Sequence, residues 1–343
     1  MVAYRKALFL ALLALAAAGT DAQAKQPWLF FNTPGAQQLQ PAAISGHNHI
    51  VGSYLTSDHA AHAFLRTPDG ALATIDPPNA VIAYGIGVNL AGTTAGYYVT
   101  SGGAELGFVR DAAGNYQDVA VPGAVATSVM AINDKGIAAG IYGGGAGQLP
   151  FVRAADGSIT TFTPPSAQIA VTVAINSKDQ IAGYYFGNSA VSSGFLRDRH
   201  GTITVFAVPG AMTTTVAGMN DKGEIAGYYN VGETYAPHGF VRAPDGTITT
   251  FDVAGPGIAT AQTTQPSSIN YLGEIVGCYT DTSNAGHGFV REPDGTFRQL
   301  DAPGSTETCA TAIGADGKIV GSIDGTQMAF RLNRKGWKGR SRQ

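Results

Sequence analysis

Gly218-Met219-Asn220-Asp221-Lys222-Gly223-Glu224-Ile225-Ala226-Gly227-Tyr228-Tyr229 is followed, after a variable stretch, by His238-Gly239-Phe240-Val241-Arg242-Ala243-Pro244-Asp245-Gly246-Thr247-Ile248-Thr249-Thr250-Phe251-Asp252. Four short strands can be read in this segment, over 216–220, 224–229, 238–242 and 247–252. Asp-Lys-Gly separates the first two, and Asp-Gly separates the last two. Both are tight-turn signals, because glycine enters positive φ without steric penalty. A Pro-Gly loop of the Val208-Pro209-Gly210-Ala211 kind leads from one such segment to the next.

The segment is one period of a repeat that runs along the chain. Phe-x-Arg recurs at Phe64/Arg66, Phe108/Arg110, Phe151/Arg153, Phe195/Arg197, Phe240/Arg242 and Phe289/Arg291, and a seventh copy at Phe330 carries Leu332 in place of the Arg. A glycine in the second strand recurs at Gly52, Gly96, Gly140, Gly183, Gly227, Gly277 and Gly321, spaced by 44, 44, 43, 44, 50 and 44 residues. The long step comes from extra residues around Gly257 to Pro266. Four antiparallel strands per period of roughly 40–50 residues is the arithmetic of a propeller blade.

The chain ends sharpen the expectation. Residues 28–35 (Trp-Leu-Phe-Phe-Asn-Thr-Pro-Gly) match the fourth-strand stretch 204–210, whereas the last repeat stops after a third strand at 328–333. A lone fourth strand at the start can complete that last repeat and remove the open edge a ring would leave. The expected fold is all-β: a seven-bladed β-propeller of four-stranded antiparallel blades over 25–337, its last blade closed by the N-terminal strand. Phe and Arg of Phe-x-Arg share one strand face. The Arg is expected to hold turn carbonyls or carboxylates, and the repeated glycines to make room for an aromatic ring of the adjacent blade.

Arg5 and Lys6 precede an apolar run over 7–18, and Ala22-Gln23-Ala24 offers a small-x-small cleavage site. Residues 1–24 therefore read as a signal peptide cut after Ala24, with a secreted or periplasmic destination. The run is shorter than the roughly 20 residues a membrane span needs, so no membrane span is expected. Removing these residues leaves a mature net charge of −4, which gives no whole-surface attraction for nucleic acid. The basic tail at 338–343 reads as a frayed, solvated terminus. A monomer is expected. Cys278 and Cys309 fall in neighbouring repeats. In an exported protein they can form a disulfide or remain two buried thiols, and spacing leaves both readings open.

His62-Ala63-Phe64-Leu65-Arg66, with His238-Gly239-Phe240 and His287-Gly288-Phe289, resembles the bacterial extracellular repeat family named after its His-Ala-Phe motif. The Ile-Asn-Asp-x-Gly-x-Ile-x-Gly pattern fits as well, and the resemblance covers nearly all of the mature chain. It implies export and a propeller-like fold, with no defined activity. The units of Phe108, Phe151, Phe195 and Phe330 lack the His.

No nucleophile elbow, zincin motif or phosphate-cradling glycine loop occurs, and no cofactor is expected. His47, His49, His59 and His62 are the tempting metal cluster. If strands two and three pair about Ser57-Asp58, however, His62 faces Tyr54 and lies roughly 16 Å from His49, so no metal site is assigned. Turns one-to-two and three-to-four keep their length, whereas the loops from strand two to three and from four to one vary and share one rim. That rim carries Glu105, Asn188, Glu233, Tyr235, Asp281 and Asn284, with Asp58 and Glu307 beside them. Carboxylates, amides and aromatics suit a carbohydrate or peptide ligand. The leading expectation is a non-enzymatic binding or scaffold module; the alternative is a glycan hydrolase or lyase using rim carboxylates such as Glu105, Glu233 or Asp281.

Overall fold

The computed structural model describes residues 28–144, 147–188, 191–232, 236–323 and 328–333. The proposed leader at 1–24 and the tail at 338–343 lie outside the described residues. Every regular element described is a β-strand, 28 in all. The strands join in antiparallel runs of four, spanning 38–74, 80–119, 126–161, 169–206, 213–251 and 261–300, with a final run over 308–332. Strand Trp28–Phe31 supplies the fourth member of that final run, placing Trp28 beside Leu332 and Phe31 beside Ala329. The Trp28 ring meets Phe330 edge-on at 4.9 Å. The first and last runs also touch: Leu39, Tyr54 and Phe64 pack with Ala312, Val320 and Ala329, and Thr311 Oγ1 donates to the Pro41 carbonyl at 2.8 Å. The runs therefore close on themselves.

Between neighbouring runs lies the core. Val51, Ala63 and Leu65 of one run meet Ala83, Tyr98 and Phe108 of the next. The Phe of every Phe-x-Arg is fully buried, which makes it the largest repeated apolar contribution; removing such a ring typically costs about 3–5 kcal/mol. The second-strand glycines face this same ring, but within their own run. A β-carbon at Gly183 would stand 2.7 Å from Phe195, its cross-strand partner. The space thus serves the neighbouring strand of the same run, which corrects the expectation of a ring from the adjacent blade.

The recurrent Arg does two things. In five of the six, Nη1 donates to the following turn carbonyl, as in Arg197 to Asp198 at 3.2 Å and Arg242 to Ala243 at 3.2 Å. In four of them the guanidinium also lies over an outer aromatic of the preceding run, as in Arg66 over Phe31 at 5.1 Å, Arg242 over Phe206 at 5.0 Å and Arg291 over Phe251 at 4.9 Å. Such cation–π contacts tie run to run.

Each first strand carries a bulge, skipping Ala42, Ile86, Met130, Val173, Ala217, Ser267 and Thr311. A bulge raises local twist. The skipped residues line an axial cavity of about 280 Å³ whose side chains are mostly small or apolar. One end of the molecule therefore holds the short turns, and the other holds the variable loops.

Candidate functional site at the loop end

Glu105 opens the strand Glu105–Arg110 and pairs in parallel with Ala126 of the next run. Its Oε1 accepts from Ser128 Oγ at 2.5 Å. On the same face, Tyr97 stacks on Tyr84 with centroids 5.0 Å apart. Burial pushes the Tyr97 phenol up, and nearby Tyr84 and Glu105 add to the shift. Both tyrosines and Glu105 are half-buried, and Val125 beside them is 78% exposed. Two rings, a carboxylate and a hydroxyl thus line one junction between runs. The sequence reading named Glu105 but missed the tyrosines; the doublet Tyr97-Tyr98 was their only signal.

A second cluster surrounds His287. Its Nδ1 faces Asp301 at 2.8 Å and its Nε2 faces Asp281 at 3.4 Å. The imidazole stacks on Tyr279 at 5.0 Å, and the Tyr279 hydroxyl donates to Gln299 at 2.7 Å. Asp281 is held down to about 2, first by the Ser283 hydroxyl and then by the Ala285 N–H, with His287 adding to the effect. Asn284 sits in that same turn at φ 63° and donates its N–H to the Asp281 carbonyl at 3.0 Å. Its place is that of a turn former, since Asn tolerates left-handed backbone better than most residues. The His–Asp pairing recurs fourteen residues apart at His62–Asp76 and His238–Asp252.

The remaining candidates lie elsewhere. Asn188 Oδ1 accepts from Gln168 at the junction of another pair of strands. Glu233 and Tyr235 lie outside the described residues. Asp58 caps its own loop through Thr56 and the Ala60 N–H. Asp281 and Asn284 share one turn, whereas Glu105 and Asn188 stand on different runs, so the candidates among the described residues do not converge on one site. Tyr54 faces His62, as the strand register predicts. Among the described residues no three His, Cys, Asp or Glu side chains are grouped to hold a metal ion. Cys278 and Cys309 are bonded to one another, Cα to Cα 5.0 Å, joining the 261–300 run to the last one.

No family model and no curated protein matches the chain. Solved structures do. Virginiamycin B lyase from Staphylococcus aureus is 13% identical, with a TM-score of 0.60, over 89% of this chain and 98% of that one. The β-propeller domain of the Trilobed protease from Pyrococcus furiosus is 9% identical at a TM-score of 0.60, over 88% of this chain and 94% of the other. YCF48 bound to D1 peptide is 11% identical at 0.54, over 90% of this chain and 97% of that one. The fold is a β-propeller. The Pyrococcus domain has an open velcro topology, whereas here Trp28–Phe31 pairs with the final strand. Identities this low carry the fold of the propeller and nothing further.

Proposed function

We propose that this propeller is an exported monomer of the His-Ala-Phe repeat family that holds a carbohydrate or peptide ligand at its loop end without turning it over. Counting each four-stranded run as a blade gives seven, in step with the seven glycine anchors. The apolar run at 7–18 and the disulfide support export, because disulfides persist in oxidising compartments. The observation that carries the binding reading is the half-buried group of Tyr84, Tyr97, Glu105 and Ser128. Aromatic faces take up the C–H face of a sugar or an apolar side chain, and a few placed polar atoms set orientation. Ser128 occupies one Glu105 oxygen, which leaves the other for a ligand hydroxyl or amide.

Asp281 is unsuited to act as a general acid. Asp281 is spent on its own turn and stays ionised to about pH 2, so it has no proton to give near neutrality. A glycan array and a peptide array on the mature protein, with a parallel reducing-end assay, test this reading. Tyr97→Ala and Glu105→Gln should each weaken the captured ligand at least ten-fold. A hydrolase or lyase stays in view because His287 lies between two carboxylates. Turnover that Asp281→Asn or Glu233→Gln abolishes would replace the binding reading with that one.

A further inference from the structure

The turn end of the molecule holds a cleft that departs from the repeat. Its volume is about 450 Å³, and its walls include Lys135, Lys178, Asp179, Asp198, Arg199 and His200. These come from the first-to-second-strand turns of the 126–161 and 169–206 runs and from the third-to-fourth-strand turn of the latter. Four other runs use Pro68-Asp69-Gly70, Ala155-Asp156-Gly157, Pro244-Asp245-Gly246 and Pro293-Asp294-Gly295 at the last position, and the 80–119 run uses Ala112-Ala113-Gly114. Only here does the pair become Arg199-His200, ahead of Gly201. A carboxylate used four times over is thus replaced by an imidazole beside a guanidinium. The companion turn departs too: Asp179 takes a left-handed φ of 62° where five other runs carry Gly92, Gly136, Gly223, Gly273 and Gly317 and the first carries Asn48.

Both acids of the cleft are committed. Asp179 receives Lys135 Nζ at 2.8 Å and Asn133 Nδ2 at 3.0 Å. Asp198 Oδ1 accepts the N–H groups of His200 and Thr202 at 2.9 and 2.8 Å. The cations are less occupied. Lys178 Nζ donates once, to the Lys222 carbonyl at 3.3 Å, and Arg199 donates its Nε to His200 Nε2 at 2.9 Å. The terminal guanidinium nitrogens of Arg199 have no protein partner among the described residues. That fork is the geometry that takes two oxygens of a tetrahedral oxyanion.

We propose that this cleft binds a phosphate or sulfate group, with Arg199 and Lys178 as its principal donors and His200 beside them. The site is independent of the loop-end reading, since it lies at the opposite end of the strands. It also sets a guanidinium and an imidazole at a turn position where four other runs carry Asp before the Gly and one carries Ala.

Calorimetric titration of the mature protein with inorganic phosphate, sulfate and phenyl phosphate, at constant ionic strength, tests it. Saturable one-to-one binding is expected. Lys178→Ala should weaken it at least ten-fold, and so should the double change Arg199→Pro with His200→Asp. The double change restores the turn used by other runs, so the fold is kept while the donors are lost. Lys222→Ala, one run further on, should bind as the wild type. Tighter binding of phenyl phosphate than of free ions assigns the site to an ester; equal binding assigns it to the ion. Absence of saturable binding, wild-type affinity in the double variant, or equal weakening by Lys222→Ala would overturn the proposal.

Discussion

A β-carbon at Gly140 would stand 2.7 Å from the Phe151 ring and nearer still to the Ser128 carbonyl. Neither neighbour can retreat, because Phe151 is fully buried and the carbonyl belongs to a paired strand. Gly140→Ala should therefore destabilise by about 3 kcal/mol or more, read as a lower urea midpoint at unchanged slope. Residue-scale electrostatics gives a second test at Asp281. Its pKa is depressed in the folded protein, so its contribution is full above the unfolded value of about 3.9 and is lost as pH falls through about 2. Asp281→Asn should be less stable than the wild type at neutral pH, and the difference should close between about pH 4 and pH 2 in acid titrations followed by circular dichroism. The Phe, Gly and Arg positions were legible from the repeat. The partner of each glycine was not, because spacing shows which residues recur without showing which strand face they meet.

At the scale of elements, the turns after the first strands are linked in a chain. Asn89 Nδ2 donates to the Asn133 carbonyl, Asn133 to Asn176, Asn176 to Asn220, Asn220 to Asn270 and Asn270 to Gly314, all between 2.9 and 3.3 Å. Each Asn from Asn133 to Asn270 also accepts backbone N–H groups of its own turn, as Asn133 does from Lys135 and Ile137. One buried side chain thus shapes a turn and fastens it to the next run. Asn133→Ala would leave the buried Asn176 carbonyl without this donor and open its own turn, at about 1–3 kcal/mol. Chemical denaturation of the variant measures it, and an effect below 0.5 kcal/mol (about the size of an ordinary surface change) would show that the linkage is dispensable. The turn position follows from Asn-Asp-x-Gly at Asn133 and Asn220, and from the repeat spacing at Asn89, Asn176 and Asn270. Their reach into the neighbouring run does not, because it depends on how two runs are stacked.

At the scale of the whole molecule, closure rests on two devices near one seam. Strand Trp28–Phe31 covers the edge of Ala329–Leu332, and the Cys278–Cys309 bond ties the final run to its predecessor across 31 residues. Deleting residues 25–35 should expose that edge and remove the Trp28–Phe330 contact, giving a lower melting temperature and concentration-dependent aggregation in light scattering. A deletion variant as stable as the parent would mean that the seam strand is not what closes the ring. Loop entropy alone makes the disulfide worth about 3–4 kcal/mol, so Cys278→Ser should lower the unfolding midpoint markedly, and reductant should do the same to the parent.

The repeat, its turns and the strand candidates follow from the sequence itself, since glycine-led turns and two-residue alternation are local properties of the chain. The offset of the ends was legible for the same reason: 28–35 copies a fourth strand, and the last repeat lacks one. Tertiary structure alone decided which groups meet across runs. The pairing of Cys278 with Cys309, the Tyr84–Tyr97–Glu105–Ser128 group, and the cleft at Lys178 and Arg199 all join residues whose separation along the chain carries no geometric meaning until the runs are stacked.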